Sequence, residues 1–456
     1  MTLPKQFIQQ LQQLLPDEWQ PLADAITGTE PSVSVRVNTG RGAAMPLNAT
    51  RVPWCATGFY LNSRRQFTFD PLFHSGLYYV QDASSMFLHH VIKTLVGEPV
   101  RYLDLCAAPG GKTTTALDAL PKGSLVVANE IIPARASVLS DNVMKWGNPD
   151  AVVTSDTPAS LGKLTHFFDV IAADVPCSGE GMMRKDDDAV AQWSPGLVQE
   201  CAERQRSIIA DVWQALKPGG LLIYSTCTYN RQENEQMIEH IISKFGAEPV
   251  SVPINDEWNI MPATGAQFPA YRFMQHRTRG EGLFMAVVRK PTAASSRSEK
   301  PRRSKTAIAP NDVGQWISNP EAFKIEVQGD IIQALPQCHY DDIMTIANAK
   351  IRVLRCGVEL GAIKGKKHIP AHALALCGNL NRRAFAACEV DYRTAIAYLR
   401  GEAITIDAPR GYVLVTHREA PLGWVNNLGN RANNLYPKQL RILSTHIPDT
   451  PPSVIC

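Results

Sequence analysis

From residue 101 to residue 290 the chain alternates short apolar runs with amphipathic stretches. "RYLDLCAA" is an apolar run that ends in small residues, and "GGKTTTALDAL" after it reads as helix. "GSLVVANE" is a second run, followed by "IPARASVLSDNVMKWG" with apolar residues at i, i+3 and i+4. "FFDVIAADVP" is another strand. "LVQECAERQRSIIADVWQAL" is a long amphipathic helix stopped by "KPGG", and "GLLIYSTCTY" is a further buried strand. Strands alternating with helices predict an open, largely parallel α/β sheet. Such sheets bind ligands at the carboxyl ends of their strands. Two cysteines fall there: Cys177 follows "VIAADVP" and Cys227 follows "LLIYST". That position argues against core filler and for thiols that do chemistry.

The 456 residues exceed one ordinary core, so two or three domains are expected. A segment from Lys290 to Pro310, "KPTAASSRSEKPRRSKTAIAP", has almost no large apolar side chains and reads as a linker. The net charge of +3 does not by itself demand nucleic acid, although a local basic patch could bind it. The N-terminus lacks the pattern of a signal peptide, and no apolar run approaches the ~18 residues of a membrane span. Ten cysteines are scattered without a C-x-x-C pair. They read as reduced thiols of a cytoplasmic protein, with no disulfide framework and no metal site.

"LDLCAAPGGKTT", Leu103 to Thr114, joins the first strand to the first helix. Its small residues let a ligand approach the backbone at a helix N-terminus. "GGKT" is like the end of a P-loop, but Cys106 stands where the first glycine belongs and Pro109 lies inside the loop, so the phosphate cradle is incomplete. A nucleoside-type cofactor without phosphates fits better. Glu130 ends the second strand, where an acid can accept from ribose hydroxyls. Asp156, near the end of the third, can hold an adenine amino group, and Asp174 ends the fourth. Three strand-end acids facing a Gly-rich turn suit S-adenosylmethionine, which is cationic at sulfur. For Asp156 alone, a merely solvated strand-end acid stays open.

At this point "DLCAAPGGKT", "ANE", "DVPCSGEGMMRKD", "KPGGLLIYSTCTYNRQENE" and "YRFMQHRTRGEGLFMAVVRK" together resemble the consecutive motifs of the Nol/Nop/Sun (Fmu) family of RNA cytosine-5 methyltransferases. "SVSVRVN" and "GLYYVQDASSM" are similar to its lead-in, so the resemblance runs from Ser32 to Lys290. The C-terminal "GYVLVTHREAPLGWVNNLGNRANNLYPKQLRI" resembles the ending of bacterial members that modify ribosomal RNA.

The resemblance implies a Rossmann-like methyltransferase domain at 96–290, a small α/β extension at 1–95, the linker at 291–310, and an RNA-binding-type domain at 311–456. It implies S-adenosylmethionine contacts from Cys106, Ala107, Ala108, Pro109, Gly110, Gly111 and Lys112, and from Glu130, Asp156 and Asp174, with Arg135 as a further candidate. It assigns the attacking thiolate to Cys227 and release of the adduct to Cys177. Carbon 5 of cytosine is a poor nucleophile until a thiolate adds at carbon 6, which is why the chemistry wants a cysteine. Asp174 would hold the N3/N4 edge of the base, and Lys112 would touch substrate or cofactor. For Lys112 a solvated first-turn lysine stays open.

The expected partner is RNA. Small-subunit ribosomal RNA is favoured, and tRNA or a non-catalytic role in ribosome assembly are the alternatives. Arg184, Lys185 and Arg277 are expected to contact phosphates, together with Arg272, His276 and Arg279. Lys366 and Lys367 are expected to do so beyond the linker, beside Lys364, Lys438 and Arg441, although a structural cap domain would use them differently. A chain ending near Lys290 is expected to keep its cofactor site and lose RNA affinity.

Overall fold

The structure, a computed structural model, describes residues 2–42, 45–46, 48–292, 307–308 (backbone only) and 313–455. The linker lies mostly outside these.

The alternating segment forms one mixed sheet. Its strands are β1 (Arg101–Asp104), β2 (Leu125–Asn129), β3 (Ala151–Thr154), β4 (Phe168–Asp174), β5 (Leu216–Thr226), β6 (Glu248–Val250) and β7 (Leu283–Arg289), with β8 (Val353–Cys356) arriving from beyond the linker. The order is β6-β7-β5-β4-β1-β2-β3-β8, and a ninth strand, Tyr271–Phe273, pairs antiparallel with β7 off this path. β1 to β5 run parallel, and β6, β7 and β8 pair antiparallel. The order reverses between β1 and β4, which opens a crevice at their carboxyl ends. The helices are α1 (Gly111–Ala119), α2 (Pro133–Trp146), α3 (Pro195–Val212) and α4 (Glu235–Phe245).

The strands read as apolar runs because both faces of the sheet are covered. Leu103, Ile171 and Leu222 pack with Ile209 of α3 and Ile238 of α4. Their neighbours Tyr102, Val170 and Leu221 pack on the other face with Ala116 of α1 and Phe87 and Val91 of the preceding helix Phe87–Leu95.

One expectation differs in detail. "KPGG" ends the helical region, but it lies inside β5 instead of before it. Leu216 pairs with Phe168 and Leu221 with Val170, so residues 217–220 bulge out between two pairings. Pro218 has no N–H to offer a ladder and Gly219 sits at φ +76°, so a bulge suits both.

Before this sheet, Val33–Val37, Gly58–Leu61, Tyr78–Val80 and the short Thr50–Arg51 form a four-stranded antiparallel sheet. Its Arg36 is fully buried and pairs with Asp118 of α1, while Gln81 donates to Thr115 at 3.0 Å. The extension therefore grips the first helix of the main sheet. Two more sheets lie beyond, one of five strands, whose first, Ala307–Ile308, falls inside the segment expected to be linker, and one of four.

Candidate active site

The loop from Cys106 to Gly111 starts where β1 ends. Ala107 N–H donates to the Asn129 carbonyl at 2.8 Å, which fastens the loop to β2. The Pro109 carbonyl accepts from Asn142 at 2.8 Å, and the Ala108 carbonyl from Arg135 at 3.0 Å. Gly110 caps α1 at φ +111°, a conformation open to glycine and costly for a residue with Cβ. Burial pushes the Cys106 thiol up, so it stays protonated.

Lys112, in the first turn of α1, points into the crevice. Its Nζ lies 2.9 Å from Asp174 Oδ2, and the other Asp174 oxygen accepts from Ser225 at 2.7 Å. Burial alone would lower the ammonium, but the charge and hydrogen bond of Asp174 outweigh it and the net shift is upward. Lys112 is thus paired across the switch point, which removes the solvated-lysine alternative.

Cys177 and Cys227 face each other at 3.2 Å, Sγ to Sγ. Their hydrogen bond, followed by burial, pushes the Cys177 thiol well up. Two buried carboxylates that sequence reading passed over set this distance. Glu180, four residues before Arg184, accepts from the backbone N–H of Tyr229 (2.8 Å) and Asn230 (2.9 Å) in the Cys227 loop. Glu233, beyond Cys227, accepts from the Ser178 N–H at 3.0 Å and from Gln205 at 2.7 Å. Each cysteine loop thereby carries an acid that holds the other. The only sequence signal was an acid closely following each cysteine.

The residues for the cofactor pass a test of fit. Glu130 accepts from Ile132 N–H at 3.0 Å through one oxygen. Its Oε2 is buried without a hydrogen bond; Arg135 is 3.3 Å away as an ion pair outside hydrogen-bond alignment. Asp104, missed from sequence, is 1% exposed at the end of β1. Thr113 donates to its Oδ2 at 2.6 Å, and its Oδ1 has no partner. Burial pushes the Asp104 carboxyl up to about 7. Orphaned buried acceptors call for donors, and S-adenosylmethionine carries ribose hydroxyls and an ammonium. Ile131 is half exposed beside Glu130, an apolar flank for a flat base. Asp156 accepts from Thr157 N–H and, at 3.2 Å, from the backbone N–H of Arg352. A segment beyond the linker therefore touches this end of the site, against the expectation that the site is complete by Lys290.

The expected phosphate contacts fare differently. The Arg184 side chain is 6% exposed and bidentate to Glu281 at 2.8 and 3.0 Å, with further bonds to Gly280 and Thr29. Lys185 lies 3.0 Å from Glu281 and 3.7 Å from Asp82. Arg277 and His276 both bind Glu18, whose carboxyl they pull down to about 2. Arg272 is buried against Glu235 and the Tyr229 carbonyl. Each of these five side chains thus has an internal partner in this structure. Lys364, Lys366 and Lys367 are exposed around the hairpin of Val358–Lys364 and Lys367–Pro370, free for a partner.

Comparison with known proteins adds to this geometry. The family model described as 16S rRNA methyltransferase RsmB/F matches residues 95–289. The N-terminal domain of 16S rRNA methyltransferase RsmF matches 3–83, and the methyltransferase RsmF PUA domain matches 385–442. Ribosomal RNA small subunit methyltransferase F of Shewanella loihica is 32% identical over 418 residues, 85% of this chain and 83% of the relative. The Aliivibrio fischeri protein of the same name is 30% identical over 96% of this chain and 97% of its own length. Among solved structures, a methyltransferase homolog protein from Pyrococcus horikoshii is similar with a TM-score of 0.52 and 26% identity, over 63% of this chain and 95% of that one. NSun6 from the same organism shares the fold at a TM-score of 0.54 and 18% identity, over 64% and 99%.

Proposed function

We propose a two-cysteine route for this chain, which belongs to the RsmB/F family of 16S rRNA methyltransferases within the Nol/Nop/Sun group. It is an S-adenosylmethionine-dependent RNA (cytosine-5-)methyltransferase, and its substrate is small-subunit ribosomal RNA. We place it in the cytoplasm. Among the described residues no helix is long and apolar enough to cross a membrane.

The observation that carries the route is the 3.2 Å contact of Cys177 and Cys227 beside the Lys112–Asp174 pair. The Cys227 thiolate forms a bond to carbon 6 of the cytosine. The carbon 5–carbon 6 π pair moves into the ring, whose N3/N4 edge lies against Asp174 and is stabilised there in its protonated form. Carbon 5 is now enamine-like, and S-adenosylmethionine supplies, when bound, an electrophilic sulfonium methyl for it. Once Cys227 is bonded to carbon, Cys177 gives its thiol proton to solvent and, as thiolate, takes the carbon 5 proton. That bonding pair re-forms the carbon 5–carbon 6 double bond, the sulfur–carbon 6 bond breaks with its pair leaving on Cys227 as thiolate, and N3 returns the proton it took up. The first cause of the raised Cys177 value is its contact with Cys227. Once Cys227 is bonded to carbon, that cause is gone, and Cys177 becomes easier to ionise when a base is needed.

The test is denaturing electrophoresis with labelled RNA. Cys227→Ala should give neither methylation nor adduct. Cys177→Ala should stop turnover after methyl transfer and accumulate protein covalently bound to RNA. A double variant should behave like Cys227→Ala. An adduct from Cys227→Ala but not from Cys177→Ala would reverse the two roles.

A further inference from the structure

We infer that the cleft between the N-terminal extension and the loop around residues 275–280 is a track for a single-stranded RNA backbone, with Arg64 and Arg279 as its phosphate contacts. The inference rests on the RNA methyltransferase reading and adds the route by which the strand reaches the cysteines. The cleft holds roughly 650 Å³ and is open to solvent. One wall is the extension, including Ser32 and Arg64, and the other is the main domain, including Gln275 and Arg279.

One wall of the cleft is tied to the Cys227 loop by two hydrogen bonds. Gln275 on its wall donates to the Gly181 carbonyl at 3.2 Å, and Gly181 N–H donates to the Cys227 carbonyl at 2.9 Å. A Cβ on Gly181 would lie 2.9 Å from that same carbonyl, so wall and thiol loop are packed without slack.

The charges on the walls differ in availability. Arg184 faces the cleft, but Glu281 neutralises it. Arg64 and Arg279 are exposed, and among the described residues neither has a hydrogen bond or ion pair to protein. Arg279 lies over the buried Tyr60 ring, 4.3 Å from its centroid. Stacking holds the guanidinium in place and leaves its N–H groups free, the form in which arginine reads phosphate. Glu30 is the one acid among the lining residues, so the cleft keeps a positive balance. Free guanidinium groups on two opposing walls match a sugar–phosphate chain. The strand must be single because the target base has to leave its stack to meet Cys227.

The experiment measures binding of labelled oligocytidylate to the full-length protein over a salt series. Removing two phosphate contacts from a single strand should flatten the log–log salt slope by about 1.4. The double variant Arg64→Ala/Arg279→Ala should show that flattening and at least about tenfold weaker binding at low salt. Its S-adenosylmethionine affinity should match the wild type. Arg279→Lys should keep the slope but bind more weakly, because the charge stays and the stack is lost. An unchanged slope in the double variant, or no salt-dependent binding by the wild type, overturns the track. If the wild type methylates RNA while the slope is unchanged, the track fails and the enzyme reading stands. If the wild type transfers no methyl to RNA, the enzyme reading itself fails.

Discussion

At Asp104 the protein keeps a carboxyl that burial has moved from 3.8 to about 7. The folded value lies above the unfolded one, so the folded state favours the proton. The stability this gives is fully present below about pH 4 and is lost as pH rises through about 7. Asp104→Asn removes the titration, so without ligand the variant should gain stability on the wild type between pH 5 and 8. The ligand has the opposite demand, since its cationic groups favour an ionised carboxylate. Wild-type affinity for S-adenosylmethionine should therefore rise from pH 6 to 8, and that of Asp104→Asn should stay flat. At pH 8 the variant should bind about tenfold more weakly or worse, the worth of a hydrogen bond to a charged group. Calorimetry at the two pH values reads this, and a flat wild-type profile removes Asp104 from the site. The placement of the two cysteines, Glu130 and Asp174 beside the carboxyl ends of strands was legible in sequence because those strands are readable apolar runs. Asp104 also ends a strand, but its importance lies in an unpartnered buried oxygen, which only packing reveals. The internal partners of the arginines were hidden for the same reason: Arg184 meets its acid at Glu281, 97 residues away.

At the scale of elements, β8 decides where the catalytic unit stops. Its backbone pairs with β3, from Val353 opposite Thr154 to Cys356 opposite Val152. The preceding residue, Arg352, caps Asp156. Leu335, Ile343, Ile346 and Ile351 enter the same core as Leu103 and Val127. Four buried aliphatic side chains at about 1.5–3 kcal/mol each make a contribution no small sheet can lose lightly. A chain ending at Lys290 should therefore bind S-adenosylmethionine at least about tenfold more weakly, or fail to fold. A chain ending near residue 378 keeps β8 and should bind more tightly than the chain ending at Lys290, but less tightly than the full chain, whose C-terminal module packs on the extension. Equal affinity of both with the full chain would show that β8 is dispensable. Sequence could not show this strand joining the sheet. "RVLRC" reads as a strand, but its partner lies about 200 residues earlier, across the linker, and edge pairing leaves no periodic mark. The parallel strands were legible because burial on both faces makes them uniformly apolar.

Across the whole molecule, the chain end returns to its beginning. Val454 and Ile455 are 3% and 0% exposed and pack with Val35, Phe59 and Tyr78 of the N-terminal extension. Val454 N–H donates to Asp70 at 3.2 Å, and the same Asp70 oxygen accepts from Tyr78 at 2.9 Å. Phe69 of the extension lies in the core of the C-terminal module with Ile396 and Val413. The extension in turn holds α1, and with it the cofactor loop, through Arg36 and Gln81. The last residues are thus connected to the active site by packing, with no contact to it. Ending the chain at Pro452 removes two buried aliphatic side chains, a loss of about 3–6 kcal/mol, and leaves Asp70 short of a donor. Thermal unfolding of this variant should begin several degrees lower. The extension should loosen first, because its sheet has only four short strands. S-adenosylmethionine binds the folded site and so should return part of the loss, by mass action through α1. Calorimetric scans with and without the ligand read both effects. If the melting profile of the shortened chain matches that of the full chain, the C-terminal return is an ornament of the fold; if it falls and the ligand restores none of it, the extension does not act on the cofactor helix.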